Sequence, residues 1–217
     1  METREAMETR RSCRCFSPRP VSRELVEQVL RLAGRAPSAL NLQPWEVTVV
    51  MGREMDRLSK RLLKAHAEKR AACGPGARKP IPESHQMRRR ETFGPLNEIL
   101  KGMGLELEAF VGEGSCRFYG APVGLVLSMD RAYSMERYLC MGILVGYLLL
   151  AAHDMGLSTC PIGLISAYGE EIKDQLNIPD EKEVVLAVAM GYEDQDSPLR
   201  SFTAPREPLR SWVRWYC

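Results

Sequence analysis

Apolar residues recur along this chain with two different periods. After Ser22, a residue type that caps helix N-termini, Leu25, Val26, Val29, Leu30, Leu32 and Ala33 return at helical spacing. They predict a helix from Arg23 with one buried face, ended by Gly34 and Pro37. Trp45–Met51 alternates around Val47 and Val49 and predicts a strand. Met55, Leu58 and Leu62 predict an amphipathic helix over Arg53–Lys69, its basic outer face solvated. Ala121–Met129, entered through Gly120 and Pro122, predicts an apolar strand, and Glu183–Gly191 predicts another. Between them, Ser134–Met155 predicts a helix and Glu170–Asn177 a shorter one. The first of these is apolar all round over Tyr138–Ala152, so it is expected to be the central, buried helix. Gly142 and Gly146 lie one turn apart on it and permit close approach of another helix.

Two stretches break the pattern. Cys73–Phe93 carries Gly74-Pro75-Gly76, Pro80 and Pro82, and predicts an irregular loop with Arg88-Arg89-Arg90 solvated, followed by a short helix over Pro95–Gly104. Tyr192–Cys217 is polar and Pro-interrupted, then ends in Trp212, Val213, Trp215 and Tyr216. Aromatics in an irregular tail need a surface to cover, and a partner subunit is the natural candidate. Few, widely spaced strands alternating with helices suit an α+β sheet flanked by helices. No G-x-G-x-x-G follows a strand, so a nicotinamide would not be held by that fingerprint.

With 217 residues the chain suits one domain, 1–217, in which 1–9 is expected to be a disordered arm and 66–115 a variable lid or substrate region. The arm nearly repeats itself, Met1-Glu2-Thr3-Arg4 and Met7-Glu8-Thr9-Arg10, and lacks the apolar core of a targeting peptide. A net charge of +2 points to neither nucleic acid nor an acidic membrane as partner. The uncharged run Tyr138–Ala152 is about five residues short of the ~20 that span a bilayer. Seven cysteines, an odd number without a disulfide-framework spacing, suit a reducing cytoplasm.

Four segments carry candidate chemistry. Arg10-Arg11-Ser12-Cys13-Arg14 is an anion site, because guanidinium forks match phosphate oxygens in pairs. In an extended segment Arg10, Ser12 and Arg14 share one side, suiting a phosphate, a ring edge and a developing anion respectively. Pro37-Ser38 opens a loop whose Asn41 and Gln43 offer amide hydrogen bonds to a flat polar ring, closed by Pro44-Trp45. In Ser158–Gly163 a helix has ended and Pro161 removes one donor, leaving the amides of Ile162 and Gly163 to face a ligand. Arg206, between Pro205 and Pro208, is held stiffly and suits a second phosphate contact. His66, His85 and His153 show no ligand spacing, and Cys13-x-Cys15 alone makes no metal site.

These segments stand in a familiar order. The arginine–serine start, P-S-x-x-N-x-Q-P-W over 37–45, F-Y-G-A-P-V at 118–123, L-A-A-x-x-x-G-L-S-T-C-P at 150–161, A-M-G-Y at 189–192 and P-R-x-P-L at 205–209 resemble the FMN-dependent nitroreductase family. The resemblance implies an α+β homodimer with an exchanged C-terminal tail and two FMN sites at the interface. It implies that Arg10, Ser12, Arg14 and Arg206 bind FMN from one subunit, with Ile162 and Gly163 at its N5 edge. Pro37, Ser38, Asn41 and Gln43 would reach it from the other. NADH or NADPH and a nitroaromatic, quinone or similar acceptor would then use one flavin face in turn, by a ping-pong mechanism, with Arg14 stabilising the charge gained on reduction. Reductive dehalogenation, flavin fragmentation and flavin binding without turnover are the alternatives. Ser115 stands where the closest-looking branch usually carries Asn, and Val145-Gly146 is apolar where an amide is common.

Overall fold

The computed structural model describes residues 2–71 and 80–217; the expected Gly74-Pro75-Gly76 turn lies outside the described residues. Four strands, β1 (Glu46–Met51), β2 (Val123–Asp130), β3 (Ser158–Ile162) and β4 (Lys182–Gly191), form one antiparallel sheet in the order β1-β2-β4-β3. The strands alternate their side chains between two separate cores. Val50, Val126, Ala187 and Ala189 face one core, under α3 (Arg53–Lys69), α5 (Leu107–Cys116) and α7 (Gly169–Leu176). Val123, Leu125, Leu127, Val188 and Met190 face the other, under α2 (Arg23–Ala33) and α6 (Glu136–Asp154). Cover on both faces explains why β2 reads as an unbroken apolar run.

Local signals set several of these elements. The Ser22 hydroxyl accepts from the Leu25 amide at 3.2 Å and starts α2. Met55, Leu58 and Leu62 are the buried face of α3, as their spacing predicts. Elsewhere the structure departs from expectation. Thr3–Thr9, expected as a disordered arm, is helix α1, with Ala6 buried and the Thr9 hydroxyl 2.8 Å from His153 Nε2 of α6. Glu83–Gly102 is one helix, α4, where a loop and a short helix were expected. Proline inside a helix costs ~3 kcal/mol or more. Pro95 is nonetheless interior, because Leu96 and Leu100 anchor the helix on Leu199 in a third core. Leu107–Cys116, which carried no strong local signal, is α5.

The helix α6 is not buried all round. Cys140, Met141, Leu144 and Leu148 pack on the sheet, whereas Met135 just before α6 and Leu139 within it are 79% and 72% exposed, and Ile143 and Tyr147 follow on the same stripe. Gly142 and Gly146 sit beside that stripe with open space above them. At the far end of the chain Trp212, Trp215 and Tyr216 are exposed as well. Among the described residues no helix is long and apolar enough to cross a membrane.

Candidate functional site

The segment Arg10–Phe16 runs extended along the outer edge of the sheet. Ser12 bridges Thr159 of β3 and Phe16 bridges Glu193, just beyond β4. The Cys13 amide donates to the Thr159 carbonyl at 2.9 Å. Alternation then divides the cluster. Arg11 turns away from Arg10, and its Nη2 donates to both carboxylate oxygens of Glu193 at 2.8 Å each, so its charge is already paired. The same carboxylate is 3.5 Å from Arg200. Cys13 donates its thiol hydrogen to the Cys15 carbonyl.

Arg10 has no such partner. Its Nη1 is buried with no hydrogen-bond partner among the described residues. Burial lowers the pKa of its guanidinium, and Arg206, close enough to repel it, lowers it further. Cys160 does nothing to neutralise the pair at pH 7, because burial pushes its thiol up to about 11. Two cations that repel each other beside an orphaned donor make this a place where an anion is favoured. Arg206 is exposed, and its Nη1 donates back to the carbonyls of Ala204 and Pro205 at 3.0 Å. Arg14 and Ser12, on the same side as Arg10, are half-buried, and Arg14 faces Cys160 and the hydroxyl of Tyr119.

Pro161 and Ile162, read as following a helix end, belong to edge strand β3, where Pro161 pairs with Val188 and Ile162 with Ala187. Proline is tolerated at a sheet edge, where one side of the ladder needs no donor. Ile162 is buried; Gly163, the first residue after the strand, is exposed with open space at its Cα.

The Pro37–Gln43 loop lies elsewhere. Ser38 Oγ accepts from the Gln43 amide at 2.9 Å, and Gln43 Nε2 donates to the Asn41 carbonyl, so the loop braces itself. Leu40, Asn41 and Gln43 have φ of +55°, +53° and +48°, left-handed positions that cost free energy in residues other than glycine. The loop feeds the Glu46 end of β1. Thr159 is level with Met190, Val123 and finally Met51, the opposite end of β1. With strands ~4.8 Å apart and ~3.4 Å per residue, Glu46 and Ser12 are separated by roughly 25 Å. The loop therefore joins the sheet at the corner diagonally opposite the arginines.

The crevice lined by Ser12, Arg14, Glu193 and Phe202 has a volume of about 10 Å³, room for a water and no more. A far larger cavity, about 1210 Å³, opens between α3, α4 and α5 beside His66, Arg70, Gln86 and Phe93, but no sequence-predicted site residue lines it. Among the described residues no group of three His, Cys, Asp or Glu side chains is placed to hold a metal.

Tyr119, which reasoning from residue types passed over, is packed beside Arg14 and Cys160. Phe118, Tyr119 and Gly120 all have positive φ, +51°, +52° and +78°, which forces the aromatic pair into a tight turn before β2. The Phe-Tyr-Gly-Ala-Pro string was the available signal, a turn signature in which two bulky residues occupy positions that suit glycine.

Comparison with known proteins extends this picture. The family model described as the nitroreductase family matches residues 7–192. A 4-nitrobenzoate reductase of Pseudomonas putida is 33% identical over 95% of this chain and 92% of its own length. The FMN-dependent nitroreductase NfnB of Mycobacterium smegmatis, solved in complex with NADPH, superposes with a TM-score of 0.88 at 30% identity, covering 99% of this chain and 97% of that one. The FMN- and NADPH-dependent NfnB of Sphigopyxis sp. strain HMH gives 0.88 at 27% identity, with both chains covered in full.

Proposed function

The chain belongs to the nitroreductase family, and from that premise we propose that it is an FMN-dependent oxidoreductase passing electrons from NADPH or NADH to a nitroaromatic acceptor. The observation that carries the reading is the orphaned Nη1 of Arg10 beside Arg206. A phosphate there supplies the missing acceptor and neutralises two repelling cations. FMN, when bound, supplies the chemistry that lets a two-electron donor and a nitro group exchange electrons. The side chains do the rest. Arg10 and Arg206 would hold the phosphate, Ser12 would hold the ring edge, and Ile162 and Gly163 would line its N5 edge. Pro161 keeps that edge strand free of a competing donor. Arg14 would stand at the N1/O2 edge and stabilise the negative charge that reduction places there. Arg11 supports the segment through Glu193.

Pro37, Ser38, Asn41 and Gln43 complete the site from a second copy. The diagonal separation within one sheet supports this arrangement, as do the apolar stripe Met135–Tyr147, with Gly142 and Gly146 beside it, and the exposed aromatic tail. We read the assembly as an obligate homodimer with exchanged tails, and 1–217 as one domain in which 66–115 selects the acceptor. Free thiols at Cys13, Cys15, Cys116, Cys140, Cys160 and Cys217 suit a reducing cytoplasm.

Donor and acceptor share one flavin face in this reading, so neither can bind while the other is present. Initial rates of NADPH oxidation, measured against both NADPH and 4-nitrobenzoate, are expected to give parallel double-reciprocal lines. Intersecting lines would require a ternary complex and a separate nicotinamide site.

A further inference from the structure

We propose that His153 is a positioning residue for Arg10. It clamps the residue before Arg10 onto α6 and so sets where the phosphate-facing guanidinium leaves the chain. The inference rests on the reading of Arg10 as a phosphate contact.

Arg10 does not place itself. Its Nη1 has no hydrogen-bond partner among the described residues, so its position is inherited from the backbone on either side. On the C-terminal side that backbone is tied to the sheet. Ser12 bridges Thr159, and the Cys13 amide donates to the Thr159 carbonyl at 2.9 Å. On the N-terminal side stands α1, whose seven residues are too few to hold a helix alone. Burial of Ala6 and the contact of Thr9 with His153, 144 positions away, hold it against the rest of the chain. Arg10 itself closes α1. Its amide donates to the Ala6 carbonyl at 3.1 Å, and with φ −62° and ψ 131° the chain then turns extended.

The hydrogen-bond directions follow from what each group is able to do. The Glu5 carbonyl only accepts, so the Thr9 hydroxyl hydrogen goes to it, at 2.7 Å. Thr9 Oγ1 is then left with lone pairs alone, and at its 2.8 Å contact with His153 Nε2 the imidazole is the donor. Burial lowers the pKa of His153, and Arg10 and Arg11 lower it further, so at pH 7 the ring is neutral with its hydrogen on Nε2. One chain results: His153 gives to Thr9, Thr9 gives to the Glu5 carbonyl, and the next amide, that of Arg10, gives to Ala6. The clamp closes where the helix hands over to the extended segment. A neutral donor does this without adding a further positive charge close to Arg10 and Arg11. Without the clamp the segment would be held from Ser12 onward only. The guanidinium would then have to be ordered as the ligand arrives, which weakens binding.

The test titrates FMN into the full-length apoprotein and follows quenching of flavin fluorescence. His153→Leu is expected to weaken FMN binding about five- to tenfold, the size of one net hydrogen bond. The apoprotein melting temperature is expected to stay close to the parent value. Thr9→Val, which exchanges the hydroxyl for a methyl group, is expected to give the same loss, and the double variant no more than either alone. His153→Gln, which carries a neutral donor at similar reach, and Thr9→Ser are expected to retain the parent affinity. In an Arg10→Ala background His153→Leu is expected to add nothing. Should His153→Leu not fold, Thr9→Val and Thr9→Ser carry the same comparison.

Parent-like FMN affinity in His153→Leu, with a loss in Arg10→Ala, would overturn the positioning role and leave the Arg10 reading standing. Parent-like affinity in both would overturn the Arg10 reading itself. An undiminished His153→Leu loss in the Arg10→Ala background would mean that His153 acts by a route other than Arg10, which also overturns the proposal. So would a His153→Gln variant as weak as His153→Leu, because the donor would then not be what matters.

Discussion

Arg10→Ala is expected to weaken FMN binding by about 30- to 1,000-fold while leaving the apoprotein at least as heat-stable as the parent. The two effects have opposite signs for one reason. In the apoprotein the Arg10 guanidinium is partly buried, repelled by Arg206 and, among the described residues, without an acceptor for Nη1. Its pKa is lowered, so the charged form that exists at pH 7 is less favourable in the folded chain than in the unfolded one. Removing it costs the apoprotein no ion pair. With phosphate present the same charge acquires its partner, and truncating one side of a buried charged pair costs ~2–4 kcal/mol. At about 1.4 kcal/mol per decade that gives the stated range. Quenching of FMN fluorescence on binding, together with thermal melts with and without FMN, reads both quantities. A lower apoprotein melting temperature with unchanged FMN affinity would make Arg10 a structural residue.

Ile143→Asp is expected to have a larger effect, converting the protein from a dimer into monomers that no longer retain FMN at micromolar concentration. In the isolated chain this is a substitution at a half-exposed position, of a kind that usually changes stability by less than about 0.5 kcal/mol. In a dimer packed through the exposed face of α6, it buries an unpaired carboxylate amid Leu139, Tyr147 and their counterparts. An uncompensated charge of that kind costs several kcal/mol at each of two symmetry-related positions. Since the Pro37–Gln43 loop must come from the second copy, loss of the dimer removes half of each site. Sedimentation velocity with detection of bound flavin separates the outcomes. A variant that remains a yellow dimer would show that α6 does not form the interface.

Much of the fold was legible because burial left a periodic trace. Ser22 with its following apolar ladder, Leu58 and Leu62 in α3, and the unbroken run of β2 each record which side faces a core. Elements escaped notice where tertiary contacts overruled local chemistry. Pro95 and Gly94 read as a break, yet Leu96 and Leu100 carry α4 through both. The helix α6 read as buried on all sides because the sequence records apolar surface without recording which chain covers it. Within the site, Arg10 was readable from its place in an arginine cluster and Arg206 from its place between two prolines. Arg11 carried the same charge but spends it on Glu193, 182 positions away, a pairing no local pattern encodes.

The most direct test of the central reading separates its two half-reactions. Purified FMN-loaded protein is mixed anaerobically with stoichiometric NADPH, freed of nucleotide, and then given 4-nitrobenzoate. The yellow flavin absorption is expected to bleach in the first step and return in the second, with the nitro compound consumed. Protein that carries FMN yet neither bleaches with NADPH or NADH nor recovers its colour with a nitroaromatic would contradict an electron-transfer role for this site.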